Sequence, residues 1–247
     1  MKNNLSFNSS LAKFGIGLFE TIKVKNKPIE IDMHLDRMFT SIDKLNLKIN
    51  YTKEDLKECI FEYIKENNIQ NKAVRLTVFD EGYNISDRDI PYTKESYEKG
   101  FKLNISPIKR GNSEINRHKT TNYYENIYTK NYAIENSYDD GIFIDLNERI
   151  LECSMSNIYF IKDDKIFTPN SKLPILNGTT KRRIIKLCGE LNIEVKEMQI
   201  KLNEIKDFDF VFISNSLMGV MKVTQIECIK YKKENYLYTK ISQKINF

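Results

Sequence analysis

A chain of 247 residues, 40% hydrophobic and 30% charged, has ordinary globular composition and can bury a substantial core in one large or two modest domains. No apolar run approaches the roughly 20 residues of a membrane helix, and MKNNLSFNSS lacks the apolar core of a secretion signal, so a cytoplasmic location is expected. The net charge of +5 arises from lysines interleaved with acids, with no basic block longer than Lys181-Arg182-Arg183; this argues against nucleic-acid binding and suits an anionic small molecule.

In chain order, FGIGLFETIKV places two glycines before a strand in which Phe19, Thr21, Lys23 and Lys25 alternate with Leu18, Glu20, Ile22 and Val24. Asn26-Lys27 forms a hairpin turn into PIEI. Residues 32–45 predict a helix, with Leu35, Met38, Phe39, Ile42 and Leu45 on one stripe. The TKED pattern at Thr52 offers an N-cap and an acidic first turn to a second helix, striped by Leu56, Cys59, Ile60, Tyr63 and Ile64. AVRLTVFD and Phe101 to Ile105 read as strands, separated by a polar loop over 81–99. SPIKRGNSEINRH, punctuated by Pro107 and Gly111 and poor in apolar residues, reads as a linker. The expected division is an N-terminal α/β domain at 1–106, a linker at 107–118 and a C-terminal domain at 119–247.

In the second half, Lys119 precedes a helix expected to carry Asn122, Tyr123 and Tyr124. The strand GIFID leads through the turn Asn147-Glu148 to Glu152 and Asn157, followed by another strand and turn. Ile184, Ile185, Leu187, Cys188 and Leu191 stripe a helix that begins after a Gly-Thr-Thr turn. A short strand is expected near Ile193–Val195, and DFDFVFISNSLMGVMKVTQIECI reads as strand, small-residue loop and strand.

A lysine, a tyrosine and a carboxylate near element boundaries could close one pocket. Lysine alone among side chains holds an aldehyde cofactor as a Schiff base, and a carboxylate facing a pyridine nitrogen keeps that ring protonated. By spacing alone, a lysine beside a helix start is more often merely solvated. Asn177-Gly178-Thr179-Thr180 before a helix is either a phosphate seat or an ordinary cap. Ser214-Asn215-Ser216 could add a second rim of donors, and Arg37 a phosphate clamp. Four scattered cysteines without a CxxC pair argue against a zinc knuckle or a disulfide framework, and two histidines, His34 and His118, cannot form a histidine-rich metal cage. Gly15 and Gly17 lead into a strand, so they are no dinucleotide fingerprint, and no Gly-rich loop ends in GK[ST].

Seven segments in order carry a resemblance. FGIGLFET resembles YGDGxFET, HLDRM resembles HLxRL, HKTTNYY resembles a Schiff-base lysine motif and LECSMSNIYFI an E-x-x-x-x-N strand. TP, NGTTKR (for GxTR) and SNSLMGVMKV complete the set over nearly the whole length. Together they resemble the class IV pyridoxal-phosphate enzymes, which include branched-chain and D-amino-acid aminotransferases and aminodeoxychorismate lyase. The resemblance implies a two-domain fold of mixed α/β (α+β) type, with an open α/β N-terminal domain and a pseudo-barrel C-terminal domain. It also implies homodimers with sites near the subunit interface, and pyridoxal 5'-phosphate as cofactor with no metal. By the same resemblance, Lys119 is the Schiff-base lysine, Glu152 the pyridine-nitrogen carboxylate and Arg37 the phosphate arginine. Thr180 and Ser216, with the amides around Thr179 and Leu217, would supply the remaining phosphate donors. Tyr123, or Tyr124, would lie near the cofactor's phenolic oxygen, and Phe14, Phe19 and Thr21 would face the substrate.

Within the family, KTTN and SNSLMGV resemble the lyase forms of their motifs, and Thr21 matches a threonine associated with acid catalysis there. These point to conversion of 4-amino-4-deoxychorismate to 4-aminobenzoate and pyruvate, a step of folate-precursor synthesis. The alternative is an amino-acid aminotransferase of branched-chain or D-amino type. Ile16 stands where the family has the aspartate of GDG, and Lys181 where it has the arginine of GxTR.

Overall fold

The computed structural model describes residues 1–2 and 4–245 and divides into two compact units. The first comprises Met1–Pro91 with His118–Tyr123; the second comprises Tyr92–Arg117 and the chain from Tyr124 onward.

The first unit opens with a short helix, α1 (Ser10–Phe14), ended by Gly15 at φ 67°, a left-handed conformation that favours glycine. Strands β1 (Leu18–Val24), β2 (Lys72–Phe79) and β3 (Gly82–Asp89) form an antiparallel sheet in that order. The alternation along β1 turns Leu18, Ile22 and Val24 toward helices α2 (Ile31–Lys44) and α3 (Lys53–Glu66), where they pack with Leu35, Met38, Leu56 and Ile60. Leu35, Leu56 and Ile60 are fully buried, and truncating any of them to alanine would cost about 2–5 kcal/mol. The expected cap of α3 is present: Thr52 Oγ1 accepts from Asp55 N at 3.1 Å, and the Asp55 carboxylate accepts from Thr52 N at 2.8 Å.

PIEI is not a second hairpin strand. Pro28 makes a single bridge to Val24, Glu30 turns the chain at φ 55°, and Ile31 already begins α2. Part of the stretch read as a polar loop is β3. Its sequence GYNISDRD buries little on one face, so it lacks the strong alternation that marks a strand.

The second unit is built on a nine-stranded sheet that curls into an open half-barrel. In chain order its elements are α4 (Lys94–Lys99), β4 (Phe101–Arg110), α5 (Tyr124–Glu135), β5 (Asp140–Asp145), β6 (Ile150–Cys153), β7 (Asn157–Lys162), β8 (Lys165–Pro169), α6 (Thr179–Glu190), β9 (Val195–Met198), β10 (Phe210–Asn215), β11 (Gly219–Ile226), β12 (Ile229–Lys230) and α7 (Tyr236–Ile245). The strand order is β6-β5-β4-β11-β10-β7-β8-β9, with β12 on β11; β4 runs parallel to both of its neighbours. GIFID in β5 and FVFIS in β10 are buried throughout, which is why they read as unbroken apolar runs. No helix among the described residues is long and apolar enough to cross a membrane.

The expected linker differs from what is found. Residues 101–110 are one strand, and its register with β5 shifts between Ile105 and Lys109, where Pro107 lies. A proline cannot donate to the ladder, so the sheet accommodates it at an irregularity instead of ending there. The units divide between Pro91 and Tyr92, and His118–Tyr123 returns to the first unit. Asn122 and Tyr123 precede α5 rather than lying on it, and the short strand expected near Ile193–Val195 runs over Val195–Met198.

Candidate functional site

In the first unit, the lysine-bearing segment is pinned to the start of β1. Phe19 N donates to Lys119 O and Thr121 N to Gly17 O, both at 2.9 Å. Gly17 makes this possible, because a Cβ there would lie 2.9 Å from Val78 O and 3.1 Å from Thr121 Oγ1. Just before the lysine, the buried imidazole of His118 is anchored through Nδ1 to Ser41 Oγ at 2.8 Å. The Lys119 amine lies 4.4 Å from the ring centroid of Phe19 and 5.2 Å from that of Tyr123, and the two rings meet edge-on at 5.1 Å. Lys119, Phe19 and Tyr123 are therefore brought together. Tyr124 is 73% exposed, and Phe14 is 67% exposed at the end of α1. Thr21 shares the outer face of β1 with Phe19 and is paired in register with Arg75 of β2.

Arg37 projects from α2 onto the fully buried Glu20 of β1, giving Nε to Oε1 at 2.8 Å and Nη2 to Oε2 at 2.6 Å. His34 Nδ1 donates to the same Oε2 at 2.6 Å. Burial alone would raise the Glu20 pKa; the charges and hydrogen bonds of Arg37 and His34 overcome that and hold it at about 2. The guanidinium is thus fixed in place by two contacts to one carboxylate.

In the second unit, Glu152 lies on β6, 6% exposed, and accepts from Arg110 Nη1 at 2.9 Å and from Leu176 N at 3.2 Å. One end of the sheet gathers several expected donors. Ser214 pairs in register with Asn157, and Asn215 Nδ2 donates to Met155 O in the β6–β7 turn. Asn157 in turn holds the start of α6: its Nδ2 donates to Leu176 O at 3.1 Å, and a Cβ on Gly178 would come within 2.0 Å of its Oδ1. Gly178 is the N-cap and contributes no side-chain cap, while Thr179 and Thr180 are buried in the first turn. Backbone amides at such a helix start attract an anion. Ser216 lies in the turn between β10 and β11, where Leu217 N donates to Asn215 Oδ1 at 3.0 Å. Lys181 is 1% exposed and donates to Pro169 O and Glu197 Oε1, both at 2.7 Å. Burial lowers its pKa, opposed by Glu197. It therefore ties α6 to β8 and β9.

Two charged residues escaped the sequence reading. Arg110 falls within the expected linker, although a lone arginine closing an alternating strand is a usable signal. Arg75 lies in an expected strand, and its guanidinium carbon is 3.8 Å from the Phe19 ring centroid. Its signal is a cation on the polar register of an otherwise apolar strand. Each unit taken by itself offers groups of the chemistry a phosphorylated aldehyde requires: the first an amine held against aromatic rings and a fixed arginine, the second a buried carboxylate and a helix start without a side-chain cap.

The family profile described as amino-transferase class IV matches residues 17–226. A candidate branched-chain-amino-acid aminotransferase of Rickettsia felis is 29% identical over 225 residues, covering 85% of this chain and 77% of the relative. The D-alanine aminotransferase of Listeria monocytogenes is 30% identical over 237 residues, covering 88% and 81%. Among solved structures, a candidate 4-amino-4-deoxychorismate lyase of Legionella pneumophila is similar with a TM-score of 0.91 at 23% identity, covering 100% of this chain and 96% of that one. The branched-chain amino acid aminotransferase of Escherichia coli gives a TM-score of 0.90 at 24% identity, covering 98% and 88%. At such identities the structural likeness speaks for the fold. The profile spans most of the sequence, and the chain belongs to the class IV aminotransferases, a family whose cofactor is pyridoxal 5'-phosphate.

Proposed function

We propose that this chain is a pyridoxal 5'-phosphate-dependent lyase converting 4-amino-4-deoxychorismate to 4-aminobenzoate and pyruvate, and that it works as a cytoplasmic homodimer. The observation that carries the reading is the outer face of β1, where Thr21 follows Phe19 on the same side and pairs with Arg75. An elimination needs an amine to take a proton, a donor for the departing oxygen and a cation for the substrate's carboxylate. A transaminase needs no donor for a leaving group.

The bound cofactor supplies a sink for the electron pair left when the amine-bearing carbon loses its proton. In this reading the Lys119 amine takes that proton, and the Thr21 hydroxyl donates to the enolpyruvyl oxygen as its bond to the ring breaks. Arg75 holds a carboxylate of the substrate. Phe19 and Tyr123 screen the amine from water. With the cofactor bound, Glu152 would hold the proton on its ring nitrogen, and Arg37, Thr179, Thr180, Ser216 and the amide of Leu217 would hold its phosphate.

A second reading, an amino-acid aminotransferase, is favoured by the curated relatives at 29–30% identity. One experiment separates them. Purified protein with added pyridoxal 5'-phosphate should show a visible absorption band that borohydride removes and that Lys119→Ala lacks. With 4-amino-4-deoxychorismate it should release 4-aminobenzoate and pyruvate together. Exchange of amino groups between amino acids and keto acids without 4-aminobenzoate release would replace the lyase by the aminotransferase. Absence of the band would end both readings.

A further inference from the structure

Glu152 is held by an arginine to which neither the family motifs nor the chemistry above gives a role. Arg110 closes β4 and is 4% exposed, its guanidinium carbon 3.5 Å from the centroid of the Phe143 ring. Nη1 donates to Glu152 Oε1 at 2.9 Å and Nη2 to Asn126 Oδ1 at 3.1 Å, while Nε reaches Glu125 at 3.4 Å. Asn126 is itself fixed, its Nδ2 donating to Ser154 O at 2.6 Å. The guanidinium is therefore locked by a ring below and three neighbours at its edge. This is unlike a surface ion pair, whose partners come and go.

We propose that Arg110 is the positioning residue of Glu152, and that its fixed charge weakens the hold of the cofactor's ring nitrogen on its proton. The proposal rests on the reading of Glu152 as that nitrogen's partner. A carboxylate already paired with a guanidinium attracts a second cation less strongly, and the guanidinium itself repels a protonated ring. Arginine stays charged across the working pH range, so the effect is constant where a histidine would switch.

Other charges near Glu152 do not duplicate this one. Lys181 of α6 acts on Glu152 but is paired with Glu197 at 2.7 Å. Cys153, next on β6, is a buried thiol whose pKa is pushed up by burial and stays neutral. Glu125 of α5, through the longer contact to Nε, offsets part of the Arg110 charge. Asp140 of β5 is linked through Ser154, and burial raises its pKa.

The test uses full-length protein loaded with pyridoxal 5'-phosphate. It reads two properties that need no turnover: the pH midpoint of the ring-nitrogen resonance of isotope-labelled cofactor, followed by nitrogen NMR, and the dissociation constant of the cofactor. Arg110→Met and Arg110→Gln should move the midpoint upward by about one pH unit, because the cation paired with Glu152 has been removed. Arg110→Lys keeps the charge and should restore the midpoint while binding cofactor more weakly than wild type. If the Met variant does not fold, the Gln and Lys variants make the same comparison. Unmoved midpoints in Met and Gln, or an equal shift in Lys, would overturn the proposal. So would loss of cofactor affinity in all variants with no change in midpoint, which marks a merely structural role. A wild-type protein that gains no borohydride-fixed mass at Lys119 overturns the proposal along with the reading beneath it, and that result is distinguishable because it precedes any Arg110 variant.

Discussion

Replacing Glu20 with glutamine tests whether the buried cluster on α2 and β1 works as charge rather than as shape. In the fold this carboxyl titrates at about 2, against an ordinary value of 4.5. That depression stabilises the folded state by about 3 kcal/mol at neutral pH. Because the folded value lies below the unfolded one, the contribution is complete above about 4.5 and disappears as pH falls through about 2. Glu20→Gln keeps the volume and leaves Arg37 and His34 facing a neutral amide. Breaking a buried pair on one side costs about 3–5 kcal/mol. Urea unfolding followed by circular dichroism should therefore give a variant weaker than wild type by at least 3 kcal/mol or so at neutral pH. The gap should close as the acid limit is approached, since wild type loses its charge there too. A gap below about 1 kcal/mol, the worth of an exposed pair, or one constant across pH, would refute the reasoning.

Gly178→Ala drives a methyl group into Asn157 Oδ1, at 2.0 Å before relaxation, and should cost about 1–3 kcal/mol in thermal unfolding while weakening cofactor binding. The double variant with Asn157→Ala should recover much of that loss, and calorimetry showing none would mean the contact is not the cause. Arg75→Leu should raise KM for an anionic substrate about tenfold or more with cofactor affinity unchanged, as expected for loss of one charged hydrogen-bonding partner. Equal change in both parameters would place Arg75 in the scaffold instead. Thr21→Ala should lower 4-aminobenzoate release more than cofactor binding, measured on the same preparation; equal loss of both would remove its role as donor.

Much of the architecture is legible because burial leaves periodic marks. The stripe Leu35, Met38, Ile42 and the capping box at Thr52 locate α2 and α3 closely, and GIFID and FVFIS announce strands buried on both faces. What stays hidden is whatever depends on partners distant in sequence. Pro107 ends a strand in any local reading, yet β5 resumes its pairing beyond the proline, at Lys109 and Arg110, and keeps β4 going. The polar residues of β3 look like loop because one face is open. For the proposed site, Lys119, Glu152, Arg37, Thr179 and Thr180 are expectations that rest on motif order. Local spacing gives no reason for Arg37 to seek Glu20, 17 positions earlier, or for Arg110 to seek Glu152, 42 positions on. Tyr123 and Tyr124 are alternatives in the sequence; within the first unit the Tyr123 ring lies against Lys119 and Phe19.

The backbone bond from Phe19 N to Lys119 O has a consequence for how the molecule could be divided. Six residues, His118–Tyr123, belong to the first unit while the chain on either side of them belongs to the second. A fragment ending at Pro91 would keep the receiving strand and lack the amine; one beginning at Tyr92 would carry the amine with no strand to register it. Neither half on its own could align the lysine, so any split version of this enzyme would regain it only when both fragments are mixed.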